Sequence, residues 1–368
     1  MSMRSAGRCR QAVAGLVFAL LAASTATGES CRIAYDMGSS GIRAGASGSA
    51  VTTQVGIDYL DPLWAGRGLE ETVAPTIAAL NDLPREAGFP ADCARVGGGF
   101  SAWRLALEQD AGRLAAILAL IHAASGVSVL VIPQLQEGAY GYYGARQLLG
   151  DRLTTNHVLD IGGGSLQIAG ERSAWGDMLG QKAWHRRLCQ EIRSSESVPC
   201  ALQPMTGAEL ATARSLLAEL LGGIAAALPG PVTMTAISRP VSRGVAPAVA
   251  RVVPSGAGAD VLQRAAISAA IGQIAGLTSS ETVVATGNSG DHVVYLLSTM
   301  LLVEGVLLAT EGESLKVAEA DLTNLPGLLA DDRAFAWGKR HGCYLERLQM
   351  LGLDAYASDP ATCPRSEQ

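Results

Sequence analysis

Two short segments of this sequence join an aspartate to glycine and serine directly after an apolar run. The first runs from Asp36 to Arg43 (DMGSSGIR), and the second from Asp160 to Gln167 (DIGGGSLQ). Glycine and serine allow the backbone N–H groups of a turn to approach an anion, because no bulky side chain intervenes. A carboxylate at the start of the turn supplies the hard oxygen that divalent cations prefer. The pair predicts two phosphate-binding turns that face each other across a cleft.

The prediction depends on the two segments occurring as a pair. One aspartate followed by glycine and serine is commonly an ordinary turn. The sequence contains another glycine run, Gly97–Gly99, which no aspartate precedes at the matching place. Triple glycine alone therefore indicates little, whereas two Asp–glycine turns after strand-like runs favour phosphate binding.

A third candidate element is the run 136–143 (QEGAYGYY), which contains Glu137. Glu137 is the only acidic residue between Asp110 and Asp151. Attack on a phosphoanhydride requires an in-line water, a group that orients it, and positive charge against the phosphate oxygens. We expect Glu137 to prepare the water, with Asp36 and Asp160 organising Mg²⁺ or another divalent cation. The alternative is an acid favoured near a helix N-terminus for its charge alone.

The elements that must position these residues alternate between strand-like and helical patterns. Strand–turn–strand, helix, strand, helix occurs twice, which predicts an α/β protein with a duplicated domain and a site between the copies. We expect strands at 32–35, from 44, and at 94–96, 127–132, 231–236 and 314–317. Helices are expected at 75–87, 105–124, 137–149, 207–228, 261–274 and 291–310. The tail from Asp354 has no periodicity, so we expect it to be loose apart from Cys363.

The length of 368 residues allows two domains around a large core. Three arginines, a short apolar run at 12–23 and small residues after it have the order of a secretory signal peptide. The apolar run is too short to span a bilayer comfortably, so we expect cleavage and a secreted or periplasmic protein without a membrane span. The predicted division is a signal peptide at 1–28, an N-terminal domain at 29–150, a C-terminal domain at 151–335 and an extension at 336–368.

Six cysteines remain after the predicted signal peptide. In an exported chain they indicate disulfides, although six cysteines allow 15 connectivities. The pairs that would close the shortest loops are Cys189–Cys200 and Cys343–Cys363, and the remaining two cysteines form the pair Cys31–Cys93. No Cys-x-x-Cys pair occurs and the five histidines are scattered, so no metal site is expected at the cysteines.

The net charge of the chain indicates which kinds of ligand it can bind. The net charge of −6 becomes about −9 once the three arginines of the leader are removed, and only three lysines occur. This argues against nucleic acid and against long polyphosphate, both of which need an extended basic track. Five arginines could line one short groove suited to a di- or triphosphate or a short polyphosphate: Arg43, Arg104, Arg146, Arg239 and Arg243. The oligomeric state cannot be read from the composition.

Together, the three segments resemble the phosphate and catalytic motifs of the actin-like ATPase superfamily. Over roughly residues 31–330 the chain resembles the exopolyphosphatase/guanosine pentaphosphate phosphatase (Ppx/GppA) family. It shares Asp-Ile-Gly-Gly-Gly-Ser at the second turn, Ser-x-x-Arg-x-Ala from Ser101, and a late helix–strand region between Leu301 and Leu328. The resemblance implies a duplicated actin-like (RNase H-like) ATPase fold with a cleft between two domains.

The chain also resembles the apyrase (nucleoside triphosphate diphosphohydrolase) family, at fewer but sharply matching positions: 36–43, 137–141 and 165–167. In both families the glutamate aligned with Glu137 prepares the attacking water. Apyrases carry glutamine at the position of Gln167 and hold water with it, whereas Ppx/GppA proteins usually carry glutamate there. The resemblance therefore adds Gln167 to the catalytic residues.

We expect an exported, metal-dependent phosphoanhydride hydrolase that releases phosphate from short polyphosphate or from nucleoside di- or triphosphates. The alternatives are an apyrase-type nucleotidase and a non-catalytic phosphate or nucleotide sensor. Gln167 and the segment around Ser238, which replaces a glycine–serine motif of Ppx/GppA proteins, motivate the sensor. The residues expected to bind phosphate are Gly38, Ser39, Ser40, Arg43, Gly162, Gly163, Gly164 and Ser165.

Overall fold

Two β-sheets form the framework of this protein. The structure, a computed structural model, describes residues 31–254, 257–258, 260–318 and 324–364. The predicted signal peptide at 1–28 lies outside these residues. Both sheets belong to one compact unit that begins at Cys31.

Residues 32–149 form the first sheet and its helices. The strands are β1 Arg32–Met37, β2 Gly41–Ala46, β3 Thr52–Gly56, β4 Ala94–Gly99 and β5 Ser128–Val131. The helices are α1 Leu60–Trp64, α2 Glu70–Glu86, α3 Ser101–Gln109, α4 Ala111–Ser125 and α5 Gln134–Leu149. The strand order is β3-β2-β1-β4-β5, in which β1 to β3 are antiparallel and β4 and β5 run parallel to β1. The apolar strand β5 is buried throughout, as expected for a parallel strand covered on both faces.

Residues 157–317 form the second sheet. Its strands are β6 His157–Ile161, β7 Leu166–Gly170, β8 Ala174–Asp177, β9 Met234–Ala236, β10 Ala257–Gly258, β11 Val261–Gln263 and β12 Ser314–Val317. The helices are α6 Gln181–Arg193, α7 Gly207–Leu220, α8 Ile224–Ala227, α9 Ala246–Val252, α10 Arg264–Ile274, α11 Ser279–Thr286, α12 Asp291–Val294 and α13 Leu296–Ala309. A π-helical segment, Pro240–Val245, leads into α9.

The second sheet repeats the topology of the first. Its order is β10-β11-β12-β9-β6-β7-β8, so the series β8-β7-β6-β9-β12 corresponds to β3-β2-β1-β4-β5. The strand directions also correspond, since β6 to β8 are antiparallel and β9 and β12 run parallel with β6. The expected duplicated α/β fold is therefore confirmed, and β10 and β11 extend the second copy at one edge.

Four C-terminal helices pack onto the core of the first sheet. They are α14 Leu325–Ala330, α15 Asp332–Gly338, α16 His341–Leu351 and α17 Asp354–Ala357. The Tyr344 hydroxyl accepts a hydrogen bond from the Val131 backbone nitrogen at 2.8 Å, and the Trp337 indole donates to the Tyr356 carbonyl. The expectation of a loose tail from Asp354 was wrong. A four-residue helix is too short to show periodicity, but Tyr356 is almost fully buried and anchors it.

Several predicted elements differ in extent. The helix expected at 105–124 is two helices, because Asp110 adopts an extended conformation and caps α4 by accepting from the Arg113 backbone nitrogen at 2.9 Å. The helix expected at 261–274 begins instead as strand β11, because Val261–Gln263 pairs with β12. The helix expected at 207–228 is divided between α7 and α8 near a glycine pair. The helix expected at 291–310 is interrupted at Tyr295.

All three predicted disulfides are present: Cys31–Cys93, Cys189–Cys200 and Cys343–Cys363. Within the described residues, one helical stretch, Gly207–Ala227, is long and apolar enough to cross a membrane. This is weak evidence for a membrane span, because core helices pass the same test. In this stretch 22% of the apolar window is buried, and Ala213 and Leu217 pack into the core of the second sheet.

Candidate active site

The two Asp–glycine turns occupy equivalent places in the two sheets. Asp36 lies near the end of β1 and pairs across the β1–β2 hairpin with Arg43. Asp160 lies near the end of β6 and pairs across the β6–β7 hairpin with Gln167. The duplicated topology therefore places the carboxylates of Asp36 and Asp160 at equivalent strand ends. Each is paired with a polar residue on the neighbouring strand, Arg43 in the first copy and Gln167 in the second.

Each turn is closed by one short backbone hydrogen bond. In the first turn the Gly38 nitrogen donates to the Gly41 carbonyl at 3.0 Å, and in the second the Gly162 nitrogen donates to the Ser165 carbonyl at 2.9 Å. These bonds hold the small residues between them in a tight loop at the carboxyl end of a strand. This is the backbone arrangement that can present N–H groups to an anion.

The second turn lies in close contact with serine side chains of the first copy of the fold. A Cβ added to Gly163 would overlap the Ser39 hydroxyl, and a Cβ on Gly164 would overlap the Ser101 hydroxyl. From the sequence, these glycines were expected to let the backbone of the turn come close to a phosphate group. The structure shows that they also allow the first and second copies of the fold to meet.

A cavity of about 490 Å³ lies between the two turns. Ten of the twelve predicted site residues line it: Asp36, Gly38, Ser39, Ser40, Arg43, Glu137, Asp160, Gly162, Gly163 and Ser165. Gly164 and Gln167 are buried and are not among the lining residues. The structure therefore brings the predicted residues together, although they come from three separate parts of the chain.

Glu137 is held by two donors on one carboxylate oxygen. It lies in the first turn of α5 and is 6% exposed. Its Oε2 atom accepts from Arg104 at 2.7 Å and from the Gln167 amide at 2.8 Å. Arg104 is itself buried and also donates to the Ile132 carbonyl at 2.9 Å, while Gln167 donates to the Ser165 hydroxyl. The carboxylate is thus fixed in orientation at the cavity.

Three carboxylates face one another in this cavity. Burial raises the pKa of Asp36 to about 6, with Arg43 acting in the opposite direction and Glu137 adding to the rise. Burial raises the pKa of Asp160 to about 7, and the negative charges of Glu137 and Asp36 raise it further. Burial also raises the pKa of Glu137, against the lowering effect of Arg104. A cluster of this kind fits a divalent cation, since hard oxygens and uncompensated negative charge are what such a cation binds.

A second group of potential metal ligands lies outside the cavity. His185, Cys189 and Cys200 are close together, but the two cysteines are joined in a disulfide and offer no thiolate. The expectation of structural rather than metal-binding cysteines holds for these residues.

Only two of the five arginines proposed for a groove, Arg43 and Arg239, are among the residues lining the cavity. Arg104 was placed wrongly. It is 1% exposed and pairs with Glu137 instead of facing a ligand groove. Arg146 and Arg243 do not line the cavity. The Ser-x-x-Arg-x-Ala segment that begins at Ser101 was the signal that could have placed Arg104 next to the site.

Three buried polar atoms at the cavity have no hydrogen-bond partner among the described residues. They are Ser101 Oγ, Ser238 Oγ and Asn324 Oδ1. An unpaired buried polar atom costs about 1–3 kcal/mol, so a concentration of them at one cavity indicates that a ligand or water completes their bonding. The sequence did not identify Ser101 and Asn324 as site residues, because neither belongs to a glycine motif.

Gly180 is another residue that the sequence did not identify. It precedes α6, whose first backbone nitrogens, of Gln181 and Lys182, donate to the carbonyls of Gly162 and Gly163 at 2.8 and 2.7 Å. A Cβ on Gly180 would lie 2.6 Å from the Gly162 carbonyl oxygen. The start of α6 therefore supports the second turn from behind, at a distance that only glycine permits.

Comparisons with known proteins show the fold. No protein-family model matches the chain, and no curated protein sequence matches it. A Ppx/GppA family member from Aquifex aeolicus has a TM-score of 0.61 at 19% identity, covering 82% of this chain and 96% of that chain. An exopolyphosphatase from Cytophaga hutchinsonii has a TM-score of 0.59 at 15% identity, covering 81% and 96%. The chain therefore has the fold of the Ppx/GppA proteins, which confirms the expected actin-like architecture.

Proposed function

We propose that this chain, which has the fold of the Ppx/GppA phosphatases, is an exported, metal-dependent phosphoanhydride hydrolase. It releases phosphate from short polyphosphate or from nucleoside di- or triphosphates. The observation that carries this proposal is Glu137, a buried carboxylate clamped by Arg104 and Gln167 at the cavity between two Asp–glycine turns.

Glu137 acts as the group that orients and deprotonates the attacking water. Both donors bind Oε2, and no described residue donates to Oε1. The free oxygen is therefore the acceptor for a water proton, and the neighbouring guanidinium favours the ionised form that a base requires, against the upward effect of burial on the pKa of Glu137. Glu137 takes the proton as the water oxygen bonds to phosphorus and the bridging oxygen leaves with the remaining phosphate chain.

Asp36 and Asp160 are the residues that would hold the divalent cation. They lie at equivalent strand ends, and each carries a raised pKa that a nearby cation would lower. A bound divalent cation supplies positive charge against the phosphate oxygens. The raised pKa values support this assignment, because both carboxylates face other negative charges.

The phosphate groups are bound by the two turns and by Arg43. Gly38 to Ser40, Gly162, Gly163 and Ser165 line the cavity, and the two turns contribute backbone N–H groups and hydroxyls. The guanidinium of Arg43 also lines the cavity and reaches Gln54 at 3.2 Å, which places positive charge at one edge. These donors suit an anion with several oxygen acceptors.

The lining of the cavity bears on the substrate. None of its described residues is a phenylalanine, tyrosine or tryptophan, so no aromatic ring is available there to stack a nucleotide base. This favours a compact phosphate chain, although a nucleotide with its base outside the cavity is also accommodated by the proposal. The three disulfides support export to an oxidising compartment, together with the signal-like N-terminus.

The proposal is tested by phosphate release from pyrophosphate, tripolyphosphate and ATP, with Mg²⁺ and with a chelator. We expect Glu137→Gln to reduce kcat by about 10²–10⁴-fold, because the isosteric amide cannot accept the water proton. The matched control is Glu304→Gln. Glu304 is equally buried and is paired with Arg214, but it lies outside the cavity.

The assay separates the alternatives. Turnover of ATP alone would support the apyrase-type reading, and binding of these anions without any phosphate release would support a sensor. Equal activity of the wild type and Glu137→Gln would refute the proposed role of this carboxylate.

A further inference from the structure

We infer that Asn324 supplies a neutral oxygen ligand to the divalent cation of the candidate active site. The inference rests on the proposed function, because it requires the cation at Asp36 and Asp160. It assigns part of the site to the C-terminal helices, which no glycine motif predicts.

Asn324 occupies a helix-capping position without capping the helix. It directly precedes α14, where an asparagine side chain normally accepts from the backbone nitrogens of the first turn. No such bond is present, and Pro326 in that turn has no N–H to donate. The side chain is instead 6% exposed and lines the cavity.

The Asn324 side chain lines the cavity together with Asp36 and lowers the pKa of Asp36, against the larger effect of burial. Oδ1 is buried and has no hydrogen-bond partner among the described residues. The residue beside Oδ1 on α5 is Gly141, whose missing side chain leaves space next to this oxygen.

The polarity of Oδ1 restricts what it can bind. A carbonyl oxygen only accepts hydrogen bonds or coordinates cations, so it repels the oxygens of a phosphate group. Asparagine carbonyls are common ligands of hard divalent cations. Next to Asp36, which the proposed function assigns to the cation, the partner that fits Oδ1 is therefore the cation or one of its bound waters.

The packing of α14 holds Asn324 in place. Leu325 and Leu328 are almost fully buried in the core of the first sheet, and a Cβ on Gly327 would lie 2.6 Å from the Cβ of Tyr140 on α5. Because Tyr140 follows Glu137 on the same helix, the close contact fixes Asn324 relative to the proposed base. A ligand on so rigid a support needs little ordering when the cation binds.

The experiment compares Mn²⁺ binding by calorimetric titration in the wild type, Asn324→Asp and Asn324→Leu. Leucine removes the oxygen, so we expect affinity to fall about 10–100-fold. Aspartate keeps an oxygen there and adds negative charge, so its affinity should equal or exceed that of the wild type. A role limited to donating to Asp36 predicts the reverse, since a carboxylate cannot donate and would repel Asp36.

The results for these variants and two further ones decide between the inference and its alternatives. Equal loss of affinity in both variants, or no loss in Asn324→Leu, would overturn the inference. Asp160→Asn serves to separate it from the proposed function. If Asp160→Asn binds Mn²⁺ as well as the wild type, the proposed cation site itself is wrong. Asn288→Leu, a buried asparagine bonded to the Gly244 carbonyl away from the cavity, should leave Mn²⁺ affinity unchanged.

Discussion

Replacing Arg104 with methionine removes the positive charge next to Glu137 while preserving most of the side-chain volume. Arg104 and Glu137 are both almost completely buried, and they are joined at 2.7 Å. Breaking a buried ion pair by removing one partner costs about 3–5 kcal/mol. The cost also includes the Ile132 carbonyl, which loses its guanidinium donor.

The functional effect of Arg104→Met follows from the protonation of Glu137. Burial raises the pKa of this carboxyl and Arg104 lowers it, so removing Arg104 leaves only the upward effects. A neighbouring opposite charge commonly changes a carboxyl pKa by about 1–3 units. On the acidic side of the pKa, each unit reduces the ionised fraction about tenfold. We therefore expect kcat to fall about 10–1,000-fold there and to recover as the pH rises.

The assay is the pH dependence of phosphate release, measured from pH 5.5 to 9.5 for the wild type, Arg104→Met and Arg104→Lys. The acidic limb of kcat should move to higher pH in Arg104→Met and move less in Arg104→Lys, which keeps the charge. A uniform loss of activity with an unchanged acidic limb would refute the reasoning. It would indicate that Arg104 supports activity by fixing the position of Glu137 and not by holding it ionised.

Two further predictions concern the second turn. Without a cation, Asp160 has a pKa of about 7 in the folded state, whereas in the unfolded state it loses its proton near pH 4. Between pH 4 and pH 7 the folded state therefore binds more protons, and the free energy of unfolding falls as the pH rises. At pH 8 in chelator, Asp160→Asn should therefore be more stable than the wild type by on the order of 3 kcal/mol, whereas at pH 4 the two should be similar. Denaturant unfolding measures both free energies, and equal stability at pH 8 would contradict the prediction. Gly180→Ala should lower both stability, by about 1–3 kcal/mol, and phosphate release, because the new Cβ displaces the backbone of the turn. Gly272→Ala, where nothing lies within 4 Å, is its control and should retain both.

The two Asp–glycine turns were accessible to sequence reasoning because they are local. A strand, an aspartate and small residues in succession specify a hairpin whose turn faces outward at a strand end, and this occurs at both Asp36 and Asp160. The order of strands and helices also predicted the duplicated fold. Glu137 was identifiable as an isolated acid at a helix start.

Other features depend on residues distant in the chain, and these the sequence did not reveal. Val261–Gln263 has an apolar pattern that fits a helix, but pairing with β12 makes it a strand. The short helix at Asp354–Ala357 has no pattern of its own, and it is ordered by the burial of Tyr356 against the first sheet. Tertiary contacts decide such elements because local propensity is weak.

The sequence by itself determined the two Asp–glycine turns and the candidate base, because each depends on residue type and short spacing. Only the tertiary structure decided how these groups act on one another. Arg104 and Asn324 reach the site from α3 and from the start of α14, far apart in the chain. Whether a side chain there clamps Glu137, faces a ligand or caps a helix depends on packing. These contacts have large energetic effects because the groups are buried, and charges and unpaired oxygens interact strongly where water is excluded.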